Sequence, residues 1–219
     1  MNKKSLIPRI LPYVDNEKII EVLKSDYLSD YVFQFENIIT SVLNSKQSIF
    51  MSRGRDALSL IIQNIIKNDS RKEFIVPGFI CSCAVTPFIN FNLVPVYCDC
   101  RSINDFNISL ENIKKVFNEN TLGVLIPHYF GIPNYEIFEI KEFCRQKNIY
   151  LIEDCAHSFL SKINGYFTGS IGDYSIMSFN FDKPLTSGQG GLLINNTDNI
   201  IYKIPDKRPA AVEKKILLS

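Results

Sequence analysis

The feature of this sequence that most constrains its fold is a regular alternation of short apolar runs with longer amphipathic segments between residues 74 and 196. The short runs have the length and composition of strands, and the longer segments have the apolar period of helices. We predict strands at 74–77, 94–99, 122–127, 149–154, 173–179 and 191–196. We predict the intervening helices at 83–91, 109–118 and 135–148. This alternation indicates an α/β domain with a mainly parallel sheet.

The first part of the chain has a helical pattern instead. We predict helices at 16–25, 32–44 and 56–67, with a short strand at 49–51 before the last of them. We therefore divide the chain into an N-terminal helical arm at 1–45, a main domain at 46–204 and a charged tail at 205–219.

Composition excludes several classes of function. The chain has 219 residues with 46% apolar side chains, enough for one large domain with its own core. A net charge of +1 gives no electrostatic footprint for nucleic acid. We find no apolar run long enough to span a membrane and no signal-peptide pattern. The expectation is a cytoplasmic protein with no nucleic-acid partner and no membrane span.

The six cysteines include two C-x-C pairs, Cys81 with Cys83 and Cys98 with Cys100. Paired thiols suggest zinc, but structural zinc sites more often space their cysteines further apart. Free cysteines also pack as small apolar residues, and a reducing cytosol disfavours disulfides. We therefore predict no metal site.

Polar residues fall where the predicted strands end. Asp154 ends one strand, His128 follows another and Gly78 follows a third. Ligands bind beyond the carboxyl ends of the strands in open α/β sheets, so these positions predict a site at that edge. Each of the polar residues could equally be structural.

Two stretches could bind an anionic, ring-containing ligand. In SRGRDALSL, Gly54 precedes a helix whose free amides and adjoining Arg55 suit a phosphate. Taken alone, this stretch is more often a solvated helix start with incidental arginines. In LIEDCAHS, Asp154 could bind a ring nitrogen and His157 a ring oxygen. The alternative there is a helix-capping aspartate followed by a core histidine.

The stretch SFNFDKPLTSGQGG contains Lys183 between an apolar strand and a glycine-rich loop. A lysine in such a place can act as a nucleophilic amine, and Ser178 could donate to a phosphate. Taken alone, a lysine before Pro184 is more often a surface charge.

The ordered set of these stretches, from about residue 7 to residue 196, resembles the DegT/DnrJ/EryC1/StrS family of sugar aminotransferases, which use pyridoxal 5′-phosphate (PLP). The resemblance implies the three-layer large domain of fold-type-I PLP enzymes, with a mainly parallel mixed sheet. Members of that family continue into a small C-terminal domain, so the resemblance also implies that this domain is largely absent here and that the chain is C-terminally truncated.

The resemblance assigns a role to each candidate residue. Lys183 matches the lysine that joins PLP covalently and moves the proton between cofactor and substrate. Asp154 matches the aspartate that pairs with the pyridinium nitrogen, and His157 matches a residue beside the phenolic oxygen.

The resemblance likewise assigns the phosphate to Ser178, Gly54 and Arg55. Arg55 stands where the family commonly has a small hydroxyl residue, and a guanidinium still binds phosphate. Cys81 stands where an aromatic side chain commonly stacks on the PLP ring, unless Phe79 takes that place.

The function implied is amino transfer, with glutamate as donor, to a nucleotide-linked keto sugar for polysaccharide or glycan biosynthesis, by a homodimer. A related dehydratase branch lacks the lysine, so Lys183 favours the aminotransferases. One alternative is a truncated, inactive remnant that binds PLP or dimerises. Another is an unrelated nucleotide-binding α/β protein, for which no G-x-G-x-x-G or P-loop motif is found.

Overall fold

The computed structural model describes residues 28–201. The helix predicted at 16–25 and the charged tail predicted at 205–219 lie outside the described residues. Within this part of the chain, no helix is long and apolar enough to cross a membrane.

A seven-stranded mixed sheet is the centre of the fold. Its strands are β1 (Gln47–Met51), β2 (Glu73–Pro77), β3 (Val94–Cys98), β6 (Thr121–Pro127), β7 (Tyr150–Asp154), β10 (Tyr174–Ser178) and β11 (Gly191–Asn195). They lie in the order β1-β11-β10-β7-β6-β2-β3. Only β11 runs against its neighbours in this sheet, so the predicted mainly parallel sheet is confirmed.

Helices cover both faces of this sheet. They are α1 (Leu28–Leu43), α2 (Gly54–Ile65), α3 (Ser82–Asn90), α4 (Leu110–Val116) and α5 (Ile137–Lys147). The strands are apolar on both sides, as a sheet between two helical layers requires. Ile152 packs with α2 and α3 on one face, while its neighbour Leu151 packs with α4 and α5 on the other. The three-layer α/β prediction is therefore confirmed.

Helix α1 belongs to the second layer. Its Ile39 and Leu43 are buried against Met177 and Leu192 of the sheet, and Glu36 accepts a hydrogen bond from the amide of Phe50 at 2.7 Å. The described part of the predicted arm thus packs on the sheet, and the boundary at residue 45 stays a prediction.

Most predicted elements differ from the structure by one or two residues at their ends. The helix predicted at 56–67 begins earlier, at Gly54, which places this glycine in the first turn. Ser109 caps α4 by accepting from the amide of Asn112 at 3.1 Å. Pro87 lies inside α3.

Two small hairpins were not predicted. Strands β4 (Cys100–Ser102) and β5 (Asp105–Ile108) pair with each other, as do β8 (Lys162–Ile163) and β9 (Tyr166–Phe167). The second hairpin turns through Asn164 and Gly165, both with positive φ. An Asn-Gly turn between two short runs is a strong local hairpin signal, so this element was present in the sequence and was missed.

Candidate functional site

A cavity of about 500 Å³ opens at the edge of the sheet where the parallel strands end. Strands β1, β10 and β7 deliver residues to it by their carboxyl ends. Strand β11 runs the opposite way and reaches the same edge by its first residue, Gly191. The lining residues are Arg53, Gly54, Arg55, Leu58, Cys81, Cys83, Ala84, Asp154, Ala156, Ile176, Ser178, Asn180, Asp182, Lys183, Gln189 and Gly190.

The start of α2 lies directly on the sheet because two glycines allow it. A Cβ on Gly191 would lie 2.3 Å from the Gly54 nitrogen, and a Cβ on Gly54 would lie 3.1 Å from the carbonyl oxygen of Met177. A Cβ at Gly191 would collide with the backbone of α2, and a Cβ at Gly54 would be crowded by the Met177 carbonyl. This contact brings the first turn of α2 next to Ser178 and fixes its direction toward the cavity.

The first turn of α2 offers unpaired donors. The amides of Asp56 and Ala57 both bond the carbonyl of Arg53, whereas those of Gly54 and Arg55 have no acceptor within residues 28–201. Free amides and the positive end of a twelve-residue helix favour an anion at this position. The exposed side chains of Arg53 and Arg55 also line the cavity and add positive charge.

Asp154 ends β7 inside the cavity. Its Oδ1 accepts a hydrogen bond from the Ala156 amide at 2.9 Å, while Oδ2 accepts none from the residues that the structure describes. Burial raises the pKa of Asp154, and the Ala156 amide and the nearby His157 and Lys183 partly offset this. A carboxylate with one oxygen open to a cavity is suited to accept an N–H from a ligand.

His157 lies beside Asp154 and stacks on Phe130, with ring centroids 5.7 Å apart and an angle of 25° between the planes. Burial lowers the pKa of His157, and Lys183 lowers it further. The imidazole is therefore mostly neutral at neutral pH. Phe130 itself has φ 55° and ψ 30°, a left-handed conformation that is unfavourable for a bulky side chain.

Lys183 is a cavity residue, because its side chain is only 14% exposed and its backbone amide bonds the Asn180 carbonyl at 3.0 Å. Its Nζ lies 3.4 Å from Asp182 Oδ2. This low exposure of the side chain disfavours the surface-charge alternative for Lys183.

Five of the predicted site residues line this one cavity: Lys183, Asp154, Ser178, Gly54 and Arg55. His157 lies close enough to interact with the charges of both Asp154 and Lys183. Phe79 does not line it and stacks on Phe106 instead, at 4.5 Å between ring centroids. The sequence reasoning missed several lining residues. Only their closeness in sequence to predicted residues could have indicated them. Asn180, Asp182 and Gln189 lie near Lys183 in the chain, and Cys83 lies near Cys81.

His128, the histidine that follows β6, is buried and does not line this cavity. Its Nδ1 accepts from the Asn134 amide at 3.0 Å, so Nε2 carries the proton that it donates to Glu153 at 2.8 Å. His128, Glu153 and Cys155 are close enough together to hold a metal ion. Both imidazole nitrogens are already hydrogen-bonded, however, which identifies His128 as a structural residue.

Comparison with known proteins gives this cavity a context. The sequence model of the DegT/DnrJ/EryC1/StrS aminotransferase family matches residues 13–213. A GDP-perosamine synthase of Vibrio cholerae is 31% identical over 206 residues, which cover 90% of this chain and 55% of that protein.

Two solved structures have the same fold. The aminotransferase from Psychrobacter cryohalolentis is 28% identical with a TM-score of 0.73, covering 83% of this chain and 46% of the other. A GDP-4-keto-6-deoxymannose-3-dehydratase with a trapped PLP-glutamate geminal diamine is 25% identical with a TM-score of 0.78, covering 87% and 52%. The chain spans about half the length of the curated relatives that it matches. Since the family model covers most of the sequence, this chain belongs to the DegT/DnrJ/EryC1/StrS aminotransferase family.

Proposed function

We propose that this protein is a PLP-dependent aminotransferase that converts a nucleotide-linked keto sugar to an amino sugar. The observation that carries the proposal is the presence of a shielded amine, Lys183, and an open carboxylate oxygen, on Asp154, in one cavity of a chain from an aminotransferase family. The cavity volume is within the range of small-molecule sites.

The residues of the cavity fit PLP group by group. The open Oδ2 of Asp154 would accept the N–H of the pyridine ring and keep that nitrogen protonated. The free amides of Gly54 and Arg55, the hydroxyl of Ser178 and the Arg55 guanidinium would bind the phosphate. His157, mostly neutral at neutral pH, would hydrogen-bond the phenolic oxygen of the ring.

When bound, PLP supplies an electron sink for charge that develops on the carbon attached to the reacting nitrogen. Lys183 would hold the cofactor through Nζ and would then move a proton with the same atom. The carboxylate of Asp182 lies 3.4 Å from that atom. Asp154 would maintain the positive charge of the ring nitrogen, on which the electron sink depends.

The substrate class rests on the relatives. One relative is named as a GDP-perosamine synthase and another as a dTDP-4-dehydro-2,3,6-trideoxy-D-glucose 4-aminotransferase, so a nucleotide-linked keto sugar is the shared substrate chemistry. Glutamate is the proposed amino donor. The similar fold of a 3-dehydratase does not distinguish the two reactions, but Lys183 favours amino transfer. We further propose a cytoplasmic homodimer that serves polysaccharide or glycan biosynthesis.

The cofactor proposal is tested by incubating the protein with PLP and recording its absorbance. We expect a visible band that borohydride abolishes and that Lys183→Ala lacks. Trypsin should then release the peptide 163–203, in which Lys183 is the only internal lysine, with the mass of a reduced pyridoxyl group added. A protein that stays colourless, or a label on another lysine, would contradict the proposal.

The reaction is tested by adding glutamate and a keto sugar nucleotide to the PLP-loaded protein and detecting the amino sugar. Lys183→Ala should lower the rate by about 10²–10⁴-fold, the contribution of a positioned acid–base group. Asp154→Asn should bind PLP more weakly and lose most of the rate. If the wild-type protein shows the visible band but transfers no amino group, the alternative of an inactive PLP-binding remnant is favoured.

A further inference from the structure

Two thiols face each other in the cavity wall. The Sγ atoms of Cys81 and Cys83 are 3.0 Å apart, and both residues are exposed. Cys81 caps the nine-residue helix α3, and Cys83 lies in its first turn. The proposed function uses neither thiol.

The two sulfur atoms are already close to bonding distance. A disulfide bond is roughly 2.0 Å long, so the sulfur atoms need to approach by only about 1 Å. Rotation of exposed side chains about Cα–Cβ can provide this, because neither thiol is locked in the apolar core. A ring closed across one intervening residue, Ser82, is short and strained, and strained disulfides are reduced easily.

The surroundings assign different roles to the two sulfurs. Burial and the hydrogen bond with Cys81 raise the pKa of Cys83 to about 11, so Cys83 keeps its proton at neutral pH. Cys81 is therefore the sulfur that attacks first. Cys81 is exposed and lies before the first turn of α3, on the cavity that Arg55 also lines.

We propose that Cys81 and Cys83 are a redox-active dithiol that closes reversibly to an intrachain disulfide. The oxidant is a small disulfide such as oxidised glutathione. Cys81 attacks one of its sulfurs, the oxidant's S–S bond breaks and one thiol leaves. Cys83 then attacks Cys81 of the mixed disulfide, and the second thiol leaves. The two cysteines lose two protons and two electrons in total, and the oxidant gains them. The reaction needs only the two thiols and is independent of the proposed function.

The chain contains a second C-x-C pair that serves as an internal control. Cys98 is fully buried at the end of β3, and its Sγ donates to the carbonyl of Asp99 at 3.7 Å. Burial raises the pKa of Cys98 to about 12. Cys100 begins β4, in a different sheet. The same sequence spacing therefore lacks an accessible pair of facing thiols at this second position.

The test is to equilibrate the folded protein with mixtures of reduced and oxidised glutathione, block remaining thiols with a maleimide and measure masses. We expect a species that is two hydrogens lighter and carries no maleimide at Cys81 or Cys83. Dithiothreitol should return it to the reduced dithiol. It should exceed the mixed disulfide by roughly tenfold or more, because the second thiol is held in place. Cleavage after Phe91 separates the two pairs for assignment.

The single variants Cys81→Ser and Cys83→Ser should instead accumulate a mixed disulfide with glutathione at the remaining cysteine. A Cys98→Ser variant should close its ring like the wild type. The proposal is overturned if wild-type protein is trapped mainly as a mixed disulfide. It is also overturned if the maleimide labels both Cys81 and Cys83 in excess oxidised glutathione, which would mean that both stay reduced. Formation of a disulfide between Cys98 and Cys100 to the same extent would overturn it as well.

Discussion

Strand β7 carries two neighbouring carboxylates, Glu153 and Asp154, which differ in how far their hydrogen-bonding capacity is satisfied. Each lies near a histidine, and each is pointed to a different face of the sheet by the alternation of the strand. Glu153 accepts four hydrogen bonds, from His128 and from the amides of Gly169, Ile171 and Gly172. Among the residues that the structure describes, Asp154 accepts one, from Ala156. The satisfied group holds the fold together, and the unsatisfied one is available to a ligand.

The pKa directions express the same difference. Burial alone would raise the pKa of Glu153, but the hydrogen bonds from His128 and the amides lower it below its usual value. For Asp154 burial prevails, and the pKa is raised. A folded chain therefore favours the ionised form of Glu153 and disfavours that of Asp154. The ionised Asp154 therefore lowers the stability of the folded state, as is common for residues at ligand-binding sites.

The largest expected effect on stability comes from removing hydrogen bonds to Glu153. Glu153→Gln leaves an amide that can accept only about half of the four hydrogen bonds, so the free energy of unfolding should fall by about 4 kcal/mol. Asp154→Asn should change it by less than about 1 kcal/mol, because it removes a charge that the fold disfavours. Urea unfolding followed by circular dichroism measures both. Equal losses in the two variants would contradict the comparison.

Packing at the edge of the sheet gives the next largest effect. In Gly191→Ala the new Cβ would lie within 2.3 Å of the Gly54 nitrogen, so the start of α2 must move. We expect a loss of about 2–3 kcal/mol in the free energy of unfolding and weaker binding of PLP by calorimetry. The matched control is Gly78→Ala, whose Cβ would meet only the Cys98 carbonyl oxygen at 3.5 Å. This control should change the free energy of unfolding by less than about 0.5 kcal/mol.

The pH dependence of stability should separate the two carboxylates by sign. The stabilisation from Glu153 is complete above its usual pKa of 4.5 and is lost as the pH falls through its lower folded value. The contribution of Asp154 is present below its usual pKa of 3.8 and is lost as the pH rises through its higher folded value. On acidification, Glu153→Gln should therefore lose less stability than the wild type, and Asp154→Asn should lose more. Denaturant midpoints across a pH series provide the measurement.

The sequence predicted the parts of this arrangement that are local. Short apolar runs identified the strands of the main sheet, and strand ends located Asp154 and the start of α2. The hydrogen bonds of Glu153 were not predictable, because its three amide donors lie 16 to 19 residues along the chain and meet it only after the loop folds. Nothing in the composition of β11 indicated that it runs antiparallel, which is what brings Gly191 against Gly54.

The smallest expected effect concerns the contact between His157 and Phe130. Phe130 is 65% exposed and left-handed, yet its ring covers one face of the imidazole. Phe130→Ala should cost less than about 1 kcal/mol of stability. It should also raise the pKa of His157 toward the usual 6.5, because burial is the main cause of the lowered value. The chain has only two histidines, so an NMR titration can follow His157 directly, with His157→Gln for assignment.

Phe130→Tyr is the matched control, because it keeps the ring and should leave the pKa of His157 where it is. If the pKa of His157 stays low in Phe130→Ala, the nearby Lys183 rather than the stacked ring sets it. Lys183→Ala should then raise the pKa instead. That pair of results would show that the charge of Lys183, and not the stacked ring of Phe130, lowers the pKa of His157. Binding at Nζ that removes the charge of Lys183 would then also change the charge state of the histidine beside Asp154.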